Sequence, residues 1–237
     1  MRLEEFFTEE AGRIRFTREQ ASHFAKRVAG DFNPIHDPDA KRFCVPGDLL
    51  FAVVLTLSGL QQRMRFRFSG MVDDADELMI ETTSADARSL VDGDGKTYLD
   101  VECAGERCAD ADATRALICE YVSFSGKTFP HILVPLMKEQ GVMINPARPL
   151  IIYESMEIDL ATCDLSDPRL ELSDTELEVN GRRGTARLSF RVLSSGDEVG
   201  QGAKRFALGG LQPWDQAKMD AVVEEYNERK ARYAVSA

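Results

Sequence analysis

The sequence predicts an α+β fold in which antiparallel strands wrap a buried helix. One observation is the segment from Asp48 to Gln61, DLLFAVVLTLSGLQ, which has almost no polar face and must be surrounded by protein. A second is the series of strand-like runs that follows it, with alternating apolar residues and an Asp-Gly turn. The third is that this order of helix and strands recurs later in the chain, which favours one repeated architecture.

Composition bounds the class of protein. The chain has 237 residues, of which 43% are hydrophobic, and a formal net charge of −11. This negative charge argues against nucleic acid as a partner, because phosphate binding needs a dense basic surface. The acidic N-terminus, MRLEEFFTEE, does not resemble a secretion signal, and no segment approaches the roughly 20 apolar residues that cross a bilayer. We therefore expect a cytoplasmic protein without a membrane span.

The five cysteines are odd in number and scattered: Cys44, Cys103, Cys108, Cys119 and Cys163. None forms a C-x-x-C pair, so the spacing predicts neither a disulfide framework nor a zinc site. We expect most of them to be small packed residues.

The first half of the chain predicts two helices and four strands. FTREQASHFAKRVAG predicts a helix with a capping box at Thr17 and Gln20 and a left-handed stop at Gly30. A proline-bearing loop from Asp31 to Gly47 leads into the buried helix. The strand-like runs are MRFRFSGMV, ELMIETTS, KTYLDVECAGE and ATRALICEYVSF.

The second half repeats this pattern. FPHILVPLMKEQGVMI predicts a second central helix, interrupted at Pro135, and the strand-like runs are PLIIYESMEIDL, LELSDTELEVN, GTARLSFRVLSSG and EVGQGAKRFALGG. The likeness of DGDGKTYLDVE to NGRRGTARLSF favours a duplication of about 110 residues per unit. We place the units at residues 1–125 and 126–211, followed by a C-terminal helix at 212–237 that Trp214 and Tyr226 anchor.

The loop sequence GDFNPIHDPD contains candidate catalytic groups. It places Asp31, Asn33 and His36 close together ahead of the buried helix, where polar groups must find partners. Two proton-transfer groups on one rigid loop can act on the same face of a double bond. The plainer alternative is an Asx turn that ends a helix. A metal site including Asp37 and Asp39 is disfavoured, because the glycine and the distal glutamate of a calcium loop are missing.

With its flanking helices, this run resembles the hydratase motif of the MaoC-like, (R)-specific enoyl-CoA hydratases and dehydratases, which have the hot-dog fold. The resemblance covers Phe16 to Leu57. It implies an α+β double hot-dog, in which two curved antiparallel sheets each wrap a central helix and one chain forms a pseudo-dimer. In double hot-dog hydratases the motif lies in the C-terminal unit, whereas here it lies in the N-terminal one.

The resemblance also implies roles. Asp31 and His36 would act as an acid/base pair on one water, adding it to an α,β-unsaturated acyl thioester or removing it from the 3-hydroxy compound. Asn33 would brace the loop and hold the water, and the backbone N–H near Gly47 would receive the thioester carbonyl. The expected substrate is an acyl thioester of CoA or acyl carrier protein, with no cofactor, and the chain would be a monomer or a homodimer.

Two positions depart from the family. Pro46 stands where the family usually has a histidine, and Asp48 places a carboxylate beside the expected carbonyl site. These departures leave one alternative open, a noncatalytic acyl-thioester-binding or assembly module. An acyl-CoA thioesterase on the same fold is a further alternative, which the hydratase-type loop argues against.

Five basic residues are candidates for binding the carrier's phosphates: Lys41, Arg42, Arg63, Arg65 and Arg67. The last three alternate along one predicted strand and so share a face. They can attract an anion to an acidic protein. An ordinary solvated strand face explains the same pattern.

Overall fold

The structure, a computed structural model, describes residues 2–236. Its helices are α1 (Arg18–His23), α2 (Gly47–Ser58), α3 (Ala111–Gly126), α4 (Thr128–His131), α5 (Leu133–Glu139) and α6 (Gln216–Ser236). The strands of the first half are β1 (Thr8–Glu10), β2 (Arg13–Arg15), β3 (Gln61–Phe68), β4 (Leu78–Ser84), β5 (Ala87–Asp92) and β6 (Thr97–Arg107). Those of the second half are β7 (Val142–Met143), β8 (Ile151–Leu160), β9 (Arg169–Asn180), β10 (Arg183–Ser194), β11 (Asp197–Gly209) and β12 (Gln212–Pro213).

Within the described chain, the main sheet is antiparallel and has ten strands in the order β1-β2-β4-β5-β6-β3-β8-β11-β10-β9. Strands β3 and β8 pair at its centre, where Met64 lies opposite Ile158. From each strand of this pair, three more strands follow outward in the same topological order, giving β3-β6-β5-β4 and β8-β11-β10-β9. The repeated unit of a helix and four strands confirms the predicted α+β double hot-dog class. The strands of the two units form one continuous sheet.

Helix α2 is the buried helix that the sequence predicts. Every residue from Leu49 to Leu55 is buried. The ring of Phe51 packs against Phe66 of β3 at 5.0 Å and against Tyr121 of α3 at 4.6 Å between centroids. The helix lacks a polar face because both the sheet and a second helix cover it.

The prediction of a strand at ATRALICEYVSF is wrong, because this segment forms α3. Asp110 caps the helix by accepting hydrogen bonds from the N–H groups of Asp112 and Ala113. The rings of Tyr121 and Phe124 then pack on Phe190 of β10. Helix α3 therefore packs on the second half of the sheet. Strand β5, which is not among the strands predicted from the sequence, completes the set of four strands β3, β4, β5 and β6 in the first half.

The segment predicted as the second central helix forms the shorter helices α4 and α5 instead. Leu133, Leu136 and Met137 of α5 are buried in a separate apolar cluster that also includes Met219 of α6. Helix α5 therefore lies in this separate cluster, and α3 is the helix that packs in the main core beside α2.

The two turns used to infer the duplication are not equivalent. DGDGK joins β5 to β6, whereas NGRRG joins β9 to β10. By position in the sheet, β6 corresponds to β11 and β10 corresponds to β5. Glycine-rich turns recur at any tight hairpin, so their likeness reflects turn geometry. The repeat is present in the topology.

The cysteines depart from the expectation at one pair, because Cys108 and Cys163 form a disulfide. Cys103 is buried as expected, while Cys44 and Cys119 are partly exposed. Disulfides are rare in cytosolic proteins, and the cytoplasmic location stays a prediction. No helix in residues 2–236 is long and apolar enough to cross a membrane.

Replacing Gly126 by alanine is expected to destabilise the fold by about 1–3 kcal/mol or more, as overpacking does. A Cβ at this position would collide with the backbone oxygen of Ala29, which a side-chain rotation cannot relieve. Urea denaturation measures the change. Gly93→Ala is the control, since a Cβ there meets no atom within 4 Å. Equal free energies of unfolding for the two variants would contradict this account.

Candidate active site

The loop begins where the first helix unwinds. Helix α1 starts at the predicted capping box of Thr17, and its turns widen into a π-helical segment over Phe24–Ala29. Gly30 ends this segment in the left-handed conformation, with a φ of 69°. The N–H of Asp31 donates to the carbonyl of Ala25 at 2.8 Å. The chain therefore leaves the helix at a fixed angle.

Side chains of the loop hold its own backbone. Oδ1 of Asp31 accepts the N–H of Asn33 at 2.9 Å, and Oδ1 of Asn33 accepts the N–H of Ile35 at 3.2 Å. Pro34–His36 then form a single 3-10 turn. These bonds engage one carboxylate oxygen of Asp31 and leave Oδ2 for another partner.

His36 directs one ring nitrogen toward that oxygen. Its Nδ1 lies 2.6 Å from the carbonyl oxygen of Cys44, which can only accept, so Nδ1 carries a hydrogen. In the neutral ring Nε2 is then the acceptor, and it lies 3.8 Å from Oδ2 of Asp31. This separation is one that a single water, about 2.8 Å from each atom and donating a hydrogen bond to both, can bridge.

The protonation of Asp31 responds to several neighbours. Burial is the largest influence and raises the pKa of its carboxyl group. His36 and the N–H of Asn33 act in the opposite direction. The charge of Asp48 raises this pKa further, whereas the charge of Lys204 lowers it. The loop carboxylate is therefore electrostatically linked to groups on α2 and β11.

A buried charged cluster that sequence reasoning missed lies at the start of α2. We call it the Lys204 cluster; it comprises Lys204, Asp48, Ser125, Tyr121 and Tyr153. Lys204 is 2% exposed, and its Nζ lies 3.3 Å from Oδ1 of Asp48. The hydroxyl of Ser125 contacts both of these charged groups. The ammonium also lies 4.0 Å from the ring centroid of Tyr153, whose hydroxyl contacts that of Tyr121.

The ion pair with Lys204 explains how a carboxylate, that of Asp48, can lie beside the expected carbonyl site. The carboxylate of Asp48 does not cap α2. Its negative charge is offset by the ammonium of Lys204. Burial lowers the pKa of Lys204, and Asp48 opposes that shift. The sequence does contain a signal for this lysine, since Lys204 alternates with the inward-facing Phe206 and Leu208 along β11.

The N-terminus of α2 has free donors. Pro46 accepts the N–H of Leu49 at 2.9 Å, while the N–H groups of Gly47 and Asp48 find no acceptor within residues 2–236. Such groups carry the positive end of the helix dipole. They are available to an oxygen that develops negative charge.

The missing side chain of Gly47 makes room for aromatic rings. A Cβ there would lie 2.9 Å from Cδ1 of Tyr153 and 3.3 Å from Cε1 of Phe68. These two rings stack with their centroids 4.3 Å apart. Packing alone thus requires a glycine here, whatever approaches its N–H.

The predicted phosphate-binding residues are all exposed: Lys41, Arg42, Arg63, Arg65 and Arg67. Arg65 lies 3.0 Å from Glu157 and Arg67 lies 2.9 Å from Glu102, both on neighbouring strands. Met64 and Phe66, which alternate with the arginines, are buried in the core around α2. The arginines therefore face away from that core, with glutamates offsetting two of them, and their role stays a prediction.

The C-terminal helix α6 lies against the loop. The hydroxyl of Tyr226 accepts the N–H of Phe32 and donates to the carbonyl of Gly30, both at 3.2 Å. Arg229 binds the carboxylate of Asp37 at 2.6 Å. Tyr226 anchors the helix as the sequence predicts, and the helix is fastened to both ends of the motif.

A family model described as "Protein of unknown function (DUF3581)" matches residues 1–217. No curated protein matches the sequence.

Solved structures with a similar chain path have low sequence identity. An acyl-CoA thioesterase II from Mycobacterium marinum is 10% identical, with a TM-score of 0.44 over 87% of this chain and 98% of that one. A conserved hypothetical protein from Mycobacterium tuberculosis, described as a double hot-dog, is 10% identical, with a TM-score of 0.44 over 86% and 95%. A peroxisomal multifunctional enzyme type 2 from Drosophila melanogaster is 12% identical, with a TM-score of 0.43 over 83% and 47%.

Proposed function

The chain belongs to the DUF3581 family, and we propose that it hydrates an α,β-unsaturated acyl thioester, or dehydrates the 3-hydroxy compound, with Asp31 and His36 as the acid/base pair. One observation carries the proposal. The bond from Nδ1 of His36 to Cys44 turns Nε2 toward the free oxygen of Asp31, 3.8 Å away. Two proton acceptors thus converge on a place for one water.

The reaction needs one water and no other reactant. The water oxygen forms a bond to the β-carbon, while one of its protons moves to the Asp31–His36 pair. The electron pair of the double bond shifts toward the thioester carbonyl, and the resulting enolate takes a proton from the pair at the α-carbon. Both transfers occur from the loop side, which favours addition to one face.

Negative charge grows on the carbonyl oxygen during this step. The free N–H groups of Gly47 and Asp48 supply donors and the positive end of α2 for that oxygen. The ammonium of Lys204 offsets the nearby carboxylate of Asp48, so that this carboxylate does not oppose the charge that develops. Together they support the carbonyl site near Gly47 that the family resemblance implies.

The test is the loss of enoyl-thioester absorbance when the full chain is mixed with enoyl-CoA and enoyl-pantetheine substrates of several lengths. Asp31→Asn gives the background rate. We expect absorbance to fall and a 3-hydroxyacyl thioester to appear with no free thiol. Release of thiol at the same rate would instead support a thioesterase. No change with any substrate would overturn the proposal in favour of a binding module.

The pH dependence of kcat/KM provides a second test. Asp31 must be ionised to accept a proton, and burial raises its pKa, so we expect the rate to fall on acidification at a pH above the ordinary aspartate pKa of about 3.9. Tyr226, the neighbouring phenol on α6, stays neutral because its pKa is raised to about 12, mainly by burial. A profile without an acidic limb above the ordinary value would contradict this assignment.

Two variants check the origin of that limb. The charge of Lys204 lowers the pKa of Asp31 and the charge of Asp48 raises it. Lys204→Met is therefore expected to move the midpoint of the acidic limb to higher pH, and Asp48→Asn to lower pH. Movement in the same direction in both variants would show that another group titrates.

A further inference from the structure

A cavity of about 460 Å³ lies between α6 and the catalytic loop. Its lining residues are Lys26, Phe32, Asp37, Arg229, Arg232 and Tyr233. Phe32 and Asp37 belong to the motif itself, and Phe32 directly follows Asp31. The cavity therefore opens beside the candidate active site, and its volume is in the range of small-molecule sites.

Positively charged side chains converge on this cavity. One carboxylate, that of Asp37, lies between Nζ of Lys26 at 2.7 Å and Nη1 of Arg229 at 2.6 Å. Glu225, on the exposed side, also contacts Arg229 at 2.9 Å. These bonds fix the positions of the two cations in advance of any ligand.

Arg232 adds a third cation. Its Nε donates to the backbone oxygen of Glu228 at 3.4 Å, and this is the contact that the structure gives its guanidinium within residues 2–236. A guanidinium presents paired donors that match a phosphate. In a chain with a formal net charge of −11, this concentration of cations gives local attraction to an anion.

The remaining walls are aromatic. Phe32 and Tyr233 meet edge to face with centroids 5.8 Å apart, and Nζ of Lys26 lies 5.9 Å from the centroid of Tyr233. Aromatic rings beside cations suit a ligand that combines a planar base with phosphate. Phosphate alone does not need such walls.

We infer that this cavity binds the phosphorylated nucleotide end of the acyl carrier, which is the adenosine phosphate end of coenzyme A. The inference rests on the proposed function, because that function makes an acyl thioester the substrate. The cavity is a different candidate phosphate site from the exposed arginines of β3. Acyl carrier protein shares the phosphopantetheine arm with coenzyme A and lacks the adenine base, so the aromatic walls favour coenzyme A.

Calorimetric titration of the full chain with adenosine 3′,5′-bisphosphate tests the site. We expect binding that Arg232→Glu weakens about tenfold or more, as for the loss of a charged hydrogen bond. Lys230→Glu is the matched control, since Lys230 is exposed on the same helix and does not line the cavity. Tyr233→Leu is expected to weaken binding of the nucleotide without changing that of 4′-phosphopantetheine.

Two results would overturn the inference. One is nucleotide binding that is absent, or equally weakened by Arg232→Glu and Lys230→Glu. The other is Arg232-dependent binding of 4′-phosphopantetheine without binding of the nucleotide. Enoyl-pantetheine thioesters lack the nucleotide, so their hydration tests the catalytic proposal separately. A chain that binds the nucleotide but hydrates no thioester would refute the catalysis alone.

Discussion

Asp31→Asn is expected to lower kcat on an enoyl thioester by about 10²–10⁴-fold, the usual contribution of a positioned acid or base. The amide has nearly the same shape as the carboxylate, and its oxygen can still accept the N–H of Asn33 that now bonds Oδ1. The loop should therefore keep its conformation. The amide nitrogen cannot accept a proton from water, so the chemical step is lost.

Asp39→Asn is the matched control for that experiment. Asp39 lies on the same loop and is exposed, so the same change of charge there is expected to leave kcat within about twofold of the parent. Circular dichroism and urea denaturation would show whether both variants fold alike. If Asp31→Asn kept the activity of Asp39→Asn, the motif would not be the catalytic centre.

The loop could be predicted from the sequence because its structure is local. The bonds from Asn33 to Asp31 and from Ile35 to Asn33 each span two residues. The left-handed Gly30 likewise follows from the end of the preceding helix. Short side chains with oxygen acceptors favour such turns wherever they occur. The orientation of the His36 ring is less local, because it depends on the bond to Cys44, eight residues away.

Helix α3 was mispredicted because its residue types and its periodicity disagree. From its second turn onward it contains several β-branched and aromatic residues, which favour strands. Yet Leu117 and Tyr121 recur at helical spacing, as do Ile118 and Val122, and Asp110 precedes them as a cap. Tertiary burial follows the periodicity here, so the cap and the spacing were the better guide.

The remaining site features join residues that are distant in the sequence. Asp48 and Lys204 are 156 residues apart, and Phe32 and Tyr226 are 194 apart. The alternation along β11 could place Lys204 on an inward face. Only the pairing of β3 with β8 brings that strand near the start of α2. A single sequence contains no comparable signal for where α6 docks.

Lys204→Met is expected to lower the free energy of unfolding by about 3–5 kcal/mol, because it leaves the buried carboxylate of Asp48 without its partner. The methionine keeps most of the length and apolar stem of lysine, although it loses the contacts of the ammonium with the rings of Tyr153 and Phe206. The loss should thus come mainly from the uncompensated charge. Urea denaturation measures it.

The double variant Asp48→Asn/Lys204→Met separates charge from packing. It removes both charges, and replacing a buried ion pair by neutral groups is often nearly neutral in stability, so we expect most of the loss to be recovered. Arg205→Met is the control, since Arg205 is the exposed neighbour on the same strand and its loss should change stability by less than about 0.5 kcal/mol. A double variant as unstable as Lys204→Met would show that lost packing, rather than the unpaired carboxylate, destabilises the single variant.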